Sequence, residues 1–224
     1  ISVSISSNEV RCIYEDESGL IWIGTKSGGI NIYDKKQEQF EVHQPIPNVP
    51  GSLGGKKVRG ICEDKNGDLW VGMYSTGVDR WDKTSEQFIH YTNFSNNVTG
   101  ISMDGDGTLW VSGFGSDVDT FDYSKNIFRK SIGSGTAWMQ GLYTDSKGWL
   151  WALRNDPGIS VYVPSGKKFI EYAADKNDST KLGKTVVSAI AEDNNGIIWL
   201  GAGDGLYSFN KEANIFSHYK NIPS

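Results

Sequence analysis

Val10-Arg-Cys-Ile-Tyr-Glu-Asp-Glu-Ser-Gly-Leu-Ile-Trp-Ile-Gly-Thr25 is the first of five versions of one segment in this chain. Aligned on Trp22, Trp70, Trp110, Trp151 and Trp199, the copies stand 48, 40, 41 and 48 residues apart. Six residues before each Trp is an Asp: Asp16, Asp64, Asp104, Asp145 and Asp193. Three before is a Gly: Gly19, Gly67, Gly107, Gly148 and Gly196. Apolar residues stand nine and twelve before, from Ile13 and Val10 to Ile190 and Val187. Eleven after comes an aromatic (Tyr33, Trp81, Phe121 or Tyr162), with Phe209 one place early. Eighteen after comes Phe40, Phe88, Phe128 or Phe169, with Phe216 one place early. A register this long, kept through five copies, marks a repeat architecture.

Each copy reads as four short strands, as in Val10–Tyr14, Leu20–Thr25, Gly29–Asp34 and Gln39–His43. Asp-x-x-Gly joins the first two. Its Asp can accept from turn N–H groups and its Gly can take positive φ. The third and fourth strands alternate apolar and polar residues, as half-buried strands do, while the first is more continuously apolar. Four-stranded antiparallel units of this length, in tandem, predict an all-β fold: a β-propeller of five four-stranded blades. One such unit cannot bury its own faces, so neighbours must stack and the large aromatics fill the space between them. We expect a single propeller region over 1–224, with repeats at about 8–43, 56–91, 96–130, 137–172 and 185–219. Both ends read as lying between blades. The region is therefore expected to belong to a longer multidomain chain and a larger array of about seven blades.

Composition agrees with this reading. Among 224 residues are 27 Gly, 8 Trp, 10 Tyr and 9 Phe, which suits many tight turns and packed strands and excludes Gly-rich disorder or collagen. A net charge of −5 argues against a nucleic-acid backbone binder. No apolar run is long enough to span a bilayer.

The segments Val10–Thr25, Val58–Gly72 and Val187–Gly201 closely resemble the two-component regulator propeller repeat. The shared pattern is Glu-Asp-x-x-Gly-x-x-Trp-[Ile/Val/Leu]-Gly, followed by Gly-[Ile/Val]-x-x-aromatic-Asp. The linkers Gly51-Ser-Leu-Gly54 and Thr180-Lys-Leu-Gly183 look similar too. The third and fourth copies depart: Met103 and Thr144 replace the Glu, and Ser112 and Leu153 replace the second Gly. The resemblance implies a periplasmic sensor region of a membrane-bound hybrid two-component regulator of the Bacteroides type. It implies response to oligosaccharides, signalling by changed domain or subunit packing, partner propeller and sandwich domains in the same receptor, and a homodimeric receptor. The alternatives are a scaffold or dimerisation propeller with its ligand elsewhere, or a propeller carbohydrate-active enzyme or lyase.

Repetition separates structure from chemistry, since a catalytic site needs one asymmetric constellation. The five Asp therefore read as turn caps. Asp104-Gly-Asp-Gly107 lacks the closing Glu of a calcium loop. His90 and His218 occupy equivalent outer-strand positions in different blades, so no metal site is expected. Cys12 and Cys62 read as buried free thiols, with no partner for a nucleophilic dyad. Arg80 and Arg129 fall on third and fourth strands, away from the axis, which counts against a sialidase arginine triad. No phosphate-binding loop is present, and no catalytic residue or cofactor is expected.

Antiparallel connectivity puts the Asp-x-x-Gly turns on one face. The second-to-third-strand loops and the linkers lie on the other face, which varies from copy to copy. Recognition belongs where a scaffold varies its loops. The second residue of each first strand is polar (Arg11, Arg59, Thr99, Gln140, Ser188) and is expected near the channel on that face. The ligand-binding candidates are thus Arg11, Arg59, Tyr74, Phe114, Trp138, Gln140, Arg154, Asn155 and Asp204. The aromatics would stack on sugar rings and the polar groups would bond hydroxyls or carboxylates.

Overall fold

A computed structural model describes residues 4–92, 97–114, 118–130, 139–173, 175, 178 and 180–220. The first blade comprises β1 (Val10–Glu15), β2 (Ile21–Thr25), β3 (Ile30–Asp34) and β4 (Gln39–His43). The second comprises β5 (Val58–Glu63), β6 (Leu69–Met73), β7 (Gly77–Asp82) and β8 (Gln87–Tyr91). The third comprises β9 (Val98–Met103), β10 (Leu109–Gly113), β11 (Val118–Asp122) and β12 (Ile127–Lys130). The fourth comprises β13 (Met139–Thr144), β14 (Leu150–Arg154), β15 (Ile159–Val163) and β16 (Lys168–Tyr172), with a 3-10 turn at Pro164–Gly166. The fifth comprises β17 (Val187–Glu192), β18 (Ile198–Ala202), β19 (Gly205–Asn210) and β20 (Ile215–Tyr219). Each blade is one antiparallel sheet with its strands in sequence order, so the five expected quartets are present.

The Asp of each repeat does more than cap a turn. In the second blade Asp64 Oδ1 accepts from the backbone N–H of Asn66 (2.8 Å) and Asp68 (3.1 Å). Its Oδ2 accepts from the Trp70 indole N–H at 2.8 Å. The same indole bond joins Trp22 to Asp16, Trp110 to Asp104, Trp151 to Asp145 and Trp199 to Asp193, at 2.8 to 2.9 Å. This is why the two residues stand six apart in all five copies. A buried indole needs an acceptor, and the turn carboxylate supplies one. The indole bond, with the turn N–H groups, holds the Asp193 carboxyl below its usual range. Gly67, at φ +77°, closes its turn in a conformation that side chains disfavour.

Blades stack in chain order, β1 on β5, β5 on β9 and β9 on β13, while the fifth blade meets the fourth through β14 and β17. Each interface is an apolar cluster that joins the Trp of one blade to the first two strands of the next. Trp22, Ile30 and Ile32 pack with Val58, Ile61, Leu69 and Val71. Trp151, Ile159 and Val161 pack with Val187, Ile198 and Leu200. The linker residues Leu53 and Leu182 are buried in these same clusters, which explains the Leu-Gly of both linkers. Gly100 lets inner strands approach: a Cβ there would lie 2.6 Å from the Leu142 nitrogen. At Gly141 a Cβ would meet nothing within 4 Å. The wedge between the fourth and fifth blades is wider there, and buried Leu153 stands where the first, second and fifth repeats have Gly.

Polar staples tie neighbouring turns together. Glu63 accepts from the Glu17 backbone N–H and pairs with Lys83 (3.1 Å). Glu192 accepts from the Ser146 N–H at 2.7 Å and pairs with Lys211 at 2.6 Å; Lys211 also reaches Asp145 at 3.0 Å. These contacts account for the Glu of Glu-Asp. In the fourth blade, where Thr144 replaces it, the Gly105 N–H donates to the Gly148 carbonyl instead. Where Met103 replaces it, the Tyr123 hydroxyl donates to Asp64 Oδ2 of the preceding blade at 3.0 Å.

Two faces stay open. Ile13 is 66% exposed, while its counterparts Ile61 and Ile101 are buried. At the other end Leu206 and Tyr219 are exposed, whereas Ile159 and Tyr91 at the equivalent positions of inner blades are buried. Trp149, outside the repeat pattern, packs into the cluster between the fourth and fifth blades and is structural.

Candidate functional site

The inner strands differ from the sequence expectation in one respect. All five carry a β-bulge on the variable face. Val10 pairs with Thr25 and Cys12 with Gly24, which leaves Arg11 out of register. The same skip falls at Arg59, Thr99, Gln140 and Ser188. A bulge unpairs one residue and re-aims its side chain. The polar residue of each inner strand is therefore the bulged one, and four of the five are exposed, with Thr99 half-buried.

The residue four after each Trp forms a second set. Tyr74 donates its backbone N–H to the Lys57 carbonyl at 2.9 Å, and Phe114 donates to the Asn97 carbonyl at 2.8 Å. These bonds extend the first two strands past the bulge and bring the two sets side by side. In the second, third and fourth blades they enclose a hollow of about 430 Å3. Its walls are the bulged Arg59, Thr99 and Gln140 and the strand-exit Tyr74, Phe114 and Asn155, with Met139 between them. Gln140 Nε2 donates to Asn155 Oδ1 at 2.9 Å, and Thr99 shares a hydrogen bond with Ser112 at 3.0 Å. The Arg59 guanidinium and the Lys57 ammonium lie 5.3 and 5.4 Å from the centre of the Tyr74 ring. Phe114 is 50% exposed.

Five of the nine candidates, Arg59, Tyr74, Phe114, Gln140 and Asn155, thus come together around one hollow. The other four stand elsewhere or cannot be placed. Arg11 is at the equivalent bulge of the first blade, outside it. Arg154 points to its own blade: it grips Asp156 with two hydrogen bonds, of 2.8 and 2.6 Å, and also bonds Glu171. Asp204 accepts from the Tyr207 hydroxyl at 2.9 Å in the fifth blade. Trp138 lies outside the described residues. Thr99 and Met139 complete the walls. The bulge position signalled Thr99, but Met139 looked like an ordinary inner-strand apolar residue.

The three histidines, both cysteines, Arg80 and Arg129 have structural surroundings. His43 packs against the Trp81 and Phe88 rings, and burial lowers its pKa. His218 stacks on Tyr207 at 3.8 Å, and His90 bonds the buried Asp79 at 2.8 Å, so neither is simply solvated. Burial pushes the Cys12 thiol up to about 11 and the Cys62 thiol higher still, so both stay protonated at neutral pH. Arg80 pairs with Asp68 and Arg129 with Asp122, both away from the hollow. Among the described residues no group of three or more His, Cys, Asp or Glu converges. Among them, too, no helix is long and apolar enough to cross a membrane.

A family model for the two-component regulator propeller matches residues 4–27, 52–75, 94–115 and 181–204, covering the first, second, third and fifth repeats. No curated protein matches the chain in sequence. Among solved structures, it is similar to the extracellular domain assigned to a hybrid two-component system of B. thetaiotaomicron. The TM-score is 0.79 at 20% identity, with 99% of this chain and 30% of that one covered. The extracellular domain assigned to a one-component system of the same organism gives 0.75 at 21% identity, covering 97% and 32%. Virginiamycin B lyase from Staphylococcus aureus gives 0.72 at 16% identity, covering 96% and 71%. The chain thus spans about 30% of the length of the two extracellular domains. At these identities the structural likeness establishes the propeller fold alone. The family follows from the sequence motif: by four of its five repeats, this chain belongs to the two-component regulator propeller family.

Proposed function

We propose that this chain is a non-catalytic recognition propeller in the extracytoplasmic sensor region of a membrane-bound hybrid two-component regulator, and that its ligand is an oligosaccharide. The observation that carries this is the hollow itself. Met139 apart, its walls come from two positions that vary between blades, on a repeated scaffold. They offer two aromatic rings and two side-chain amides, a chemistry suited to sugar faces and hydroxyls. Among the described residues no nucleophile and general-base pair lines it. A virginiamycin B lyase becomes catalytically inactive when one histidine is changed to alanine; no histidine lines this hollow, which supports binding over lyase chemistry.

The open faces of the first and fifth blades favour a second role, as packing surfaces for further blades or domains of a longer receptor. This chain covers 71% of the lyase chain, the share that five blades of seven would take. Ligand binding across the second to fourth blades would bias the packing of these neighbours, or of a second receptor copy, and so signal. A glycan-array screen followed by calorimetry tests the reading. Phe114→Ala and Gln140→Ala should each weaken binding of a retained glycan at least tenfold without changing the thermal midpoint. Unchanged binding in both variants would move the site elsewhere.

A further inference from the structure

We infer that the hollow selects acidic saccharides, with the Arg59 guanidinium receiving the carboxylate or sulfate; this rests on the oligosaccharide reading above. The chain has five arginines. Arg80, Arg129 and Arg154 are each paired with carboxylates. Among the described residues the two without such a pair are Arg11 and Arg59, and both sit at bulges on the variable face. Arg59 lines the hollow. Lys57 stands beside it over the same Tyr74 ring, also without a carboxylate partner among the described residues. Among the described residues, the hollow's walls contain no Asp or Glu. A chain of net charge −5 thus presents a locally cationic mouth.

The side chains divide the work. Two cations share the Tyr74 ring, which fixes the guanidinium in position by cation–π attraction. A guanidinium so held keeps its fork of donors for an incoming anion, a geometry that matches carboxylate and sulfate oxygens in pairs. The exposed ring of Phe114 stands across the hollow as the surface for a sugar face. Gln140 and Asn155 already bond each other and retain donor and acceptor capacity for hydroxyls. A neutral sugar would leave two cations facing it without gain. An acidic one would neutralise them inside a semi-enclosed space, where charge pairing is stronger than in open water.

The test compares ligands that differ by charge alone. Calorimetry on the intact chain would use a galacturonate trisaccharide, its fully methyl-esterified form, and a sulfated galactose trisaccharide. The acid should bind at least tenfold more tightly than the ester, about the worth of one charge-assisted contact. The sulfated sugar reports which anion the site prefers; tight binding by either acid supports the inference. Arg59→Gln should erase the preference, whereas Arg11→Gln, outside the hollow, should leave it within about twofold. Equal binding of acid and ester, or an acid preference that survives Arg59→Gln, overturns the inference while leaving the oligosaccharide reading intact. Failure of all three saccharides, in an array where no neutral glycan binds either, removes both.

Discussion

Replacing Asp64 by Ala should be among the costliest single changes in the second blade. The carboxylate accepts four hydrogen bonds. Two come from turn N–H groups, one from the Trp70 indole and one from the Tyr123 hydroxyl of the next blade. In the variant the turn N–H groups can turn to water, so losing them costs about 1 kcal/mol, as for a lost cap. Trp70 is fully buried and its indole N–H cannot be rescued by water. The stranded indole at about 1 to 3 kcal/mol and the half-buried Tyr123 hydroxyl at about 1 kcal/mol, less the relieved desolvation of the carboxylate, bring the total to about 3 kcal/mol. Asp64→Asn keeps one acceptor oxygen but turns an N–H2 towards the indole N–H, so it should recover only part of the loss. Equilibrium urea unfolding, followed by tryptophan fluorescence, measures the shift. Asp193→Ala provides the internal control. It has the same turn and an indole bond of 2.9 Å, but Trp199 is only half-buried at an open face. Its effect should be clearly smaller. Equal losses at the two sites, or a loss below about 1 kcal/mol at Asp64, would refute the argument that burial of the indole sets the cost.

Three further outcomes are expected. Lys211→Met leaves the buried carboxylates of Asp145 and Glu192 without their cation and should lower stability by about 3 to 5 kcal/mol, read from the denaturation midpoint. Gly100→Ala forces a Cβ against the backbone of β13 and should destabilise the packing of the third blade on the fourth, whereas Gly141→Ala, with open space around it, should be close to neutral; hydrogen exchange of β9 and β13 amides separates the two. His90 is hydrogen-bonded to Asp79, which raises its folded pKa above the unfolded value of about 6.5. Its contribution is therefore complete below that value and lost as pH rises through the higher folded one, so stability should fall from pH 6 towards pH 8, and the fall should be smaller in His90→Gln.

Most of the fold was legible because it is written five times. A single Asp-x-x-Gly is a weak turn signal, but five in register with a Trp leave one architecture, and strand limits read from the repeat fall within about a residue of those observed. What the sequence could not disclose were relations between blades. The Glu of Glu-Asp carries no local signal of its purpose, since its partner N–H lies 46 residues away in a neighbouring turn. The bulge was equally hidden, because a polar residue in an inner strand reads the same whether it is paired or skipped. For the site, the two variable positions of each blade pointed to the face that carries the hollow. They do not tell which blades enclose it, so the sequence groups Arg11, Arg154 and Asp204 with residues from which the blade geometry separates them. Arg154 in particular is drawn off by Asp156, two residues along, a neighbour that strand patterning gives no reason to weigh.

The bulge carries one more consequence. A residue skipped by the ladder has no backbone partner to satisfy, so the sheet constrains its identity little. Arg, Thr, Gln and Ser all occupy that place in this one chain. Each blade thereby offers a position on the variable face where mutation has little folding cost. Under the proposed function, descendants of such a scaffold can exchange one ligand for another by drift at these places, with no need for compensating repairs in the core.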